Sequence, residues 1–477
     1  MAKIPSDVWF ATIPELHKLL TSREVSAVEL ARAFAQRLEQ LGPRYNALAL
    51  PLQQQAIRQA QEVDKDIKRE RLRGMLQGIP YGAKDLLSFA GHPTTWGAKP
   101  FAGQVFDYSA TVINKLAAVG SVLVGKLSTV ELAGGGGYRF ASASLQGPGL
   151  NPWDRTRWSG GSSSGPAAAV AAGLVPFAIG SETSGSIVTP ASYCGVTALR
   201  PTYGLVSRHG AMALSWTLDK LGPFARSAED CGWILQTIAG KDGEDPGSAG
   251  KSFYYTPQYA RPMKELRIGF ATVDFAGWAD PAARPAFNAA LDVIKQTGAQ
   301  LVETKLPDFH YGATISAIIG AEGVSIFEEF IRSGKVDQLA DATQIAGMKA
   351  NLDISATTYL KAMRLRRLMQ EAFRQLFVDV DALVTFGRDR GATPVDQPLD
   401  SGGEAGPPTP QDPGMDALIP AGNLVGLPAL VLPCGFAANL PVALQVVGPA
   451  FSENMLLAIG REFQQRTDWH KRRPPET

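Results

Sequence analysis

The sequence predicts an α/β protein, a β-sheet covered by helices, and three observations carry that prediction. Between about residues 75 and 235, short β-prone runs alternate with glycine-rich turns and small-residue helices, as at 121–124, 175–179 and 195–199. Residues 284–376 read as helical, with patterns such as Tyr359-Leu-Lys-Ala-Met-Arg-Leu-Arg-Arg-Leu-Met369. A β-prone run at 382–386 follows, and the tail returns to α/β texture at 428–433 and 443–447.

The N-terminal elements have legible starts. Ser26-Ala-Val-Glu29 is a capping box, after which Leu30, Phe34, Leu38 and Leu41 form an apolar stripe. Gly42-Pro43 stops that helix. Thr12-Ile-Pro-Glu15 opens an earlier short helix in the same way. Residues 1–70 are therefore expected as a helical arm packed on the core. Residues 71–477 are expected as one larger unit with a helical insertion at about 284–376. The stretch 387–415 is rich in Gly, Pro and Asp and reads as a long loop, the kind that serves as a lid or stays disordered.

Charge excludes some classes. Lys and Arg number 46 against 45 Asp and Glu, a net of +1. That balance argues against nucleic acid or an anionic membrane as partner. The three cysteines, Cys194, Cys231 and Cys434, are far apart, which argues against a disulfide framework and for a reducing, cytoplasmic setting. No Cys/His pair has zinc-site spacing, so no metal is expected. The longest apolar stretch, 167–179, is broken by Gly173 and Pro176 and falls short of the roughly 20 residues a spanning helix needs.

Two serine-glycine clusters carry the chemistry: Trp158-Ser-Gly-Gly-Ser-Ser-Ser-Gly-Pro166 and Gly180-Ser-Glu-Thr-Ser-Gly-Ser-Ile187. Glycines let consecutive N–H groups converge into an anion-binding nest, as an oxyanion hole requires. Gly/Ser segments also serve as linkers, but both clusters abut periodic structure. Pro166 suits a first helical turn and Gly173 its end. The run 175–179 reads as a strand delivering Ser186. A nucleophilic serine needs a base. None of His17, His92, His209, His310 and His470 sits in a convincing motif. A buried lysine can serve once burial lowers its pKa, and Lys84 lies among apolar and small residues. Taken alone, Lys84-Asp85 reads as a surface ion pair.

The segment Gly78-Ile-Pro-Tyr-Gly-Ala-Lys-Asp-Leu-Leu87 resembles the lysine motif of the amidase signature family. Asn151-Pro-Trp-Asp-Arg-Thr-Arg-Trp-Ser-Gly-Gly-Ser-Ser-Ser-Gly165 resembles its Gly/Ser signature, and Gly180-Ser-Glu-Thr-Ser-Gly-Ser-Ile-Val-Thr-Pro-Ala191 its nucleophile loop. The resemblance extends from about residue 25 to 470. It implies a central mixed sheet covered by helices on both faces. It makes Ser186 the nucleophile, Ser162 the bridging serine held by a cis peptide bond, and Lys84 the terminal base. The N–H groups of Thr183, Ser184, Gly185 and Ser186 become the oxyanion hole. The relay requires Lys84 within hydrogen-bond reach of Ser162, and Ser162 of Ser186. It needs only protein groups and water, so no cofactor is implied. Gly136 and Tyr138 are candidate substrate contacts, Tyr138 as a pocket wall.

Two departures bear on substrate. Ser184 stands where Gly is frequent, and Val188 where many members carry Arg, which removes a cation beside the nucleophile. The expected function is hydrolysis of small neutral amides, with carbamates (urethanes) and esters as extensions, through an acyl-enzyme. The expected partners are a small amide or carbamate and water, a homodimer being left open. The alternative is a glutaminase subunit of a tRNA-dependent amidotransferase, which Arg200-Pro-Thr-Tyr-Gly204 resembles. Three decoys are set aside. Gly161-Ser-Ser-Ser-Gly165 fits a nucleophile elbow centred on Ser163, but 153–158 is polar and reads as a poor strand. Gly120 to Lys126 nearly matches a P-loop, but Leu127 replaces the required Ser or Thr. Ser248-Ala-Gly-Lys251 fits S-x-x-K but lies in a loop.

Overall fold

The N-terminal capping boxes act as the sequence requires. Thr12 caps the helix Ile13–Thr21 and Ser26 caps Ala27–Leu41, in each case with the glutamate three residues on returning the bond. The second helix buries Leu30, Phe34 and Leu38. The computed structural model describes residues 7–399 and 414–475.

The core is an eleven-stranded mixed sheet among the described residues. Its order is Leu48–Pro51, Val122–Leu127, Pro80–Lys84, Phe177–Glu182, Lys220–Ala225, Thr197–Arg200, Ala429–Ala437, Leu440–Val447, Ala382–Phe386, Arg267–Phe270 and Gln300–Glu303. Helices flank it. The central strands Pro80–Lys84, Phe177–Glu182 and Lys220–Ala225 are buried at every position. Both sides of such strands face apolar neighbours, so they read as runs rather than alternations.

Three expected boundaries change. The N-terminal arm is not purely helical: Leu48–Pro51 pairs antiparallel with Val122–Leu127 and forms one sheet edge. The helical stretch 284–376 supplies the opposite edge, Gln300–Glu303, parallel to Arg267–Phe270. That strand has only four residues and half-exposed apolar positions, so helical periodicity on both sides of it conceals it. Residues 154–158 do form a strand, Asp154–Trp158, paired with Leu150–Asn151 in a separate two-stranded ribbon. Its polar residues face solvent, which a core strand forbids and an isolated ribbon permits. Of the long loop 387–415, residues 400–413 lie outside those described. The preceding part runs along the ribbon: Trp158 N–H donates to Thr393 O and Val395 N–H to Thr156 O.

Topology brings the chemistry together. Pro80–Lys84 and Phe177–Glu182 are parallel neighbours, with Ala83 opposite Ile179. Their carboxyl ends therefore meet at one edge, where ligands bind in parallel sheets. The helix Ser164–Ala171 packs beside them and starts just after Ser162.

Candidate active site

Lys84 ends its strand fully buried. Its Nζ lies 2.7 Å from Ser162 Oγ, 2.9 Å from Ser181 Oγ and 3.0 Å from Ser163 Oγ. Burial lowers its pKa well below that of an ordinary lysine, against the pull of Asp219 and then Glu182. Ser162 follows a cis peptide bond from Gly161, and its carbonyl accepts from Val130 N–H and Thr129 Oγ1.

Ser186 sits on the loop between the strand Phe177–Glu182 and the helix Val188–Cys194. It is 8% exposed. Gly185, at φ +87°, turns the chain there, a conformation that strains other residues. Ser186 Oγ makes no hydrogen bond among the described residues, so the expected Ser162–Ser186 contact is not made in this structure. The backbone N–H groups of Thr183, Ser184, Gly185 and Ser186 likewise donate to no group among the described residues. The next two, Ile187 and Val188, donate to Glu182 Oε2 at 2.7 and 2.9 Å.

Glu182 anchors the loop from below. Its Oε1 accepts from Arg200 Nη1 and Asn423 Nδ2, each at 2.7 Å. Burial works to raise its pKa, but Arg200 and the surrounding donors bring it down to about 2. A glutamate and an arginine wholly buried in strands demand each other, a pairing that no local sequence pattern marks.

Tyr138 and Gly136 take different places. Tyr138 stands edge-on to Trp158, and its hydroxyl lies where a Cβ on Gly161 would reach within 2.9 Å, beside the Gly161–Ser162 bond. Gly136 packs on the helix Ala342–Asn351, where a Cβ would meet Met348 at 2.5 Å. Close helix approach accounts for that glycine. Ser163, the decoy nucleophile, bonds Lys84 and the backbone of Ser181, with no histidine among its partners. Lys126 of the near P-loop is buried in a strand, and Lys251 lies over the Phe451 ring.

A cavity of about 270 Å³ opens against the same loop, lined by Ser181, Thr183, Leu86, Met212, Leu214 and Trp216 among others. Arg208 also lines it, held by Asp245 Oδ1 at 2.6 Å.

The Amidase family model matches residues 29–457. The chain belongs to the amidase signature family. Amidase signature proteins similar to it include one component of the glutamyl-tRNA(Gln) amidotransferase of Chloroflexus aggregans, 35% identical over 98% of this chain and 99% of the relative. The solved peptide amidase of Stenotrophomonas maltophilia is 28% identical with a TM-score of 0.82, covering 98% of each chain. The corresponding glutamyl-tRNA(Gln) amidotransferase component of Thermotoga maritima, also solved, is 28% identical with a TM-score of 0.79, covering 97% of this chain and 96% of that one. As an amidase signature protein this chain is an enzyme acting on carbon–nitrogen bonds. Among its described residues, no helix is long and apolar enough to cross a membrane, and no three His, Cys, Asp or Glu residues are placed to hold a metal ion. Its three cysteines are buried and free.

Proposed function

We propose that this enzyme hydrolyses small neutral amides, and by the same steps carbamates and esters, with Ser186 as nucleophile, Ser162 as proton bridge and Lys84 as base. The observation that carries this reading is the 2.7 Å bond from Lys84 to Ser162 beside a loop whose four N–H groups are unclaimed among the described residues. A neutral amine has two N–H donors and one lone pair. Three hydroxyls surround Nζ, so one can donate into that lone pair while two accept. Ser162, the nearest, is suited to hand its proton to Lys84 as it takes one from Ser186. Hydrogen bonds of this kind are often long in free enzymes and tighten once substrate is bound.

As Ser186 Oγ attacks the carbonyl, charge grows on the substrate oxygen. The N–H groups of residues 183–186 are the donors available to it, and losing one such donor costs about 2.7–4 kcal/mol in comparable sites. The lysinium then returns its proton through Ser162 to the departing nitrogen. Water repeats the sequence on the acyl-enzyme and releases the acid.

Neutral substrates are supported by Val188, which leaves no cation at that position beside the nucleophile. Arg208, in the adjoining cavity, is engaged by Asp245, and Asp219 and Glu244 also line that cavity. A free α-carboxylate meets a poor electrostatic partner there. In this reading neither nucleic acid nor membrane takes part.

A second reading, a glutaminase component of a tRNA-dependent amidotransferase, is supported by the names of relatives 35–37% identical over nearly the whole chain. It also has a structural observation in its favour. Arg388 is exposed, has no ion pair among the described residues, and lies close enough to Tyr138 and Tyr193 to offset part of the rise that burial gives their pKa values. It is the group that would take a glutamine carboxylate.

The isolated enzyme should be given p-nitroanilides, a phenyl carbamate and glutamine. Turnover of the neutral substrates with glutamine untouched is the expected result. Ammonia release from glutamine only in the presence of partner proteins, and no turnover of the others, overturns it in favour of the second reading.

A further inference from the structure

Asp219 precedes the strand Lys220–Ala225, which runs antiparallel to the strand leading into the nucleophile loop. Its carboxylate is almost fully buried and is shared between two structures. Oδ1 accepts from Thr183 Oγ1 at 2.6 Å, at the first position of the nucleophile loop. Oδ2 accepts from Leu214 N–H at 2.8 Å, on the wall of the adjoining cavity, and from the N–H of the buried Ser215 beside it at 2.9 Å. The segment that carries the wall residues Leu214 and Trp216 is clamped in turn. Ser215 Oγ and Thr217 Oγ1 donate to the buried Glu322 at 2.5 and 2.8 Å, and Tyr359 OH does so at 2.8 Å. Arg366 donates to Thr217 O. The loop's far end is fixed by Glu182, so Asp219 supplies the side-chain tie at its near end.

We propose that Asp219 is a positioning residue for this reaction: its carboxylate locks Thr183, and with it the nucleophile loop, to the backbone of Leu214 on the cavity wall and of Ser215 behind it. The proposal rests on the serine-hydrolase reading above but not on the identity of the substrate. Without the tie, Thr183 and the N–H groups that follow it lose their fixed aim, and donors that are not preorganised stabilise an oxyanion poorly. The cavity wall and the loop that contacts the oxyanion then move independently.

The carboxylate also has an electrostatic effect that a purely mechanical tie lacks, since it raises the proton affinity of Lys84. The charged groups around the pair are Glu182 and Arg200 on neighbouring strands, Lys220 on its own strand, Arg208 on the cavity side and Arg366 on the helix Ala356–Asp379. The ion pair of Asp85 with Lys126 lies beside Lys84. Burial pushes the pKa of Asp219 up, while its three donors favour the charged form.

The test is the rate at which a fluorophosphonate labels Ser186, mapped by mass spectrometry and measured from pH 5 to 10. Asp219→Asn is expected to slow labelling roughly 10²-fold, in line with loss of an oxyanion donor, and to move the acidic limb to lower pH. Thr183→Val is expected to slow labelling by a similar factor with the limb in place, because the charge of Asp219 remains on its two backbone donors. Thr183→Ser keeps the hydroxyl and should restore the rate. If Asp219→Asn or Thr183→Val labels at the wild-type rate, or if both lose only thermal stability while the folded fraction labels normally, the proposal is overturned. A wild-type protein that labels normally but turns over no neutral amide removes the substrate reading alone. One that does not label at all removes the serine-hydrolase reading and this proposal with it.

Discussion

Asp85 pairs with Lys126 on the adjacent strand, Oδ1 to Nζ at 2.7 Å, and not with Lys84, its neighbour in sequence. Both partners are wholly buried. Asp85 Oδ2 also accepts from Thr95, and Lys126 donates to Thr94 Oγ1. The pairing leaves Lys84 without a salt-bridge partner among the described residues, which is the state a neutral base requires. Lys126→Met leaves a buried carboxylate uncompensated and should cost about 3–5 kcal/mol. Urea unfolding of Lys126→Met against a Lys126→Met, Asp85→Leu double variant measures it, with the double variant expected to recover much of the loss.

Lys84→Ala should abolish amide turnover, by roughly 10³-fold or more, with far-ultraviolet circular dichroism unchanged. Removing an amine whose charged form is disfavoured by burial leaves no unpaired charge behind, so the fold has no electrostatic reason to fail. An active Lys84→Ala protein contradicts the assignment.

The pH–rate profile follows from the direction of the Lys84 shift. Burial lowers its pKa, so the neutral base is present at pH values where an ordinary lysine, near 10.5, is still charged. The rate constant kcat/KM should rise with pH through a single limb that lies well below the ordinary lysine value. A limb at the ordinary lysine value counts against a buried base.

Glu182 sets a stability limit in acid. Its folded pKa of about 2 lies below the ordinary 4.5. Its contribution is complete above about pH 4.5 and is lost as the pH falls through 2. The shift corresponds to roughly 3 kcal/mol. Glu182→Gln should flatten the acid side of a stability–pH curve and, by orphaning the buried Arg200, lower stability at neutral pH.

Val188→Arg places a cation two residues from the nucleophile. It should shift the ratio of glutamine to anilide turnover towards glutamine by roughly tenfold, the worth of one charged contact, read as ammonia release. An unchanged ratio means that position 188 does not set acyl charge.

Much of the architecture was legible because its signals are local. The capping boxes at Thr12 and Ser26 and the apolar run into Phe177–Glu182 need no tertiary information. The ribbon strand Asp154–Trp158 and the edge strand Gln300–Glu303 were hidden because short exposed strands carry little apolar pattern. Within the site, Lys84, Ser162 and the 183–186 loop stand in motifs. Their supports, Ser163, Ser181, Glu182 and Asp219, act through contacts that form only when separate strands and loops align. At Gly136 the sequence does not reveal the close approach to the helix Ala342–Asn351, where a Cβ would meet Met348.

The proposed reaction requires that Ser186 become acylated with Lys84 as the ultimate proton acceptor. Incubation with p-nitrophenyl carbamate, followed by peptide mapping by mass spectrometry, tests this directly, because a carbamoyl-serine deacylates slowly enough to accumulate. One carbamoyl group is expected on Ser186 in the wild type and none in Lys84→Ala. A carbamoyl group on another residue, or equal modification in Lys84→Ala, would contradict it.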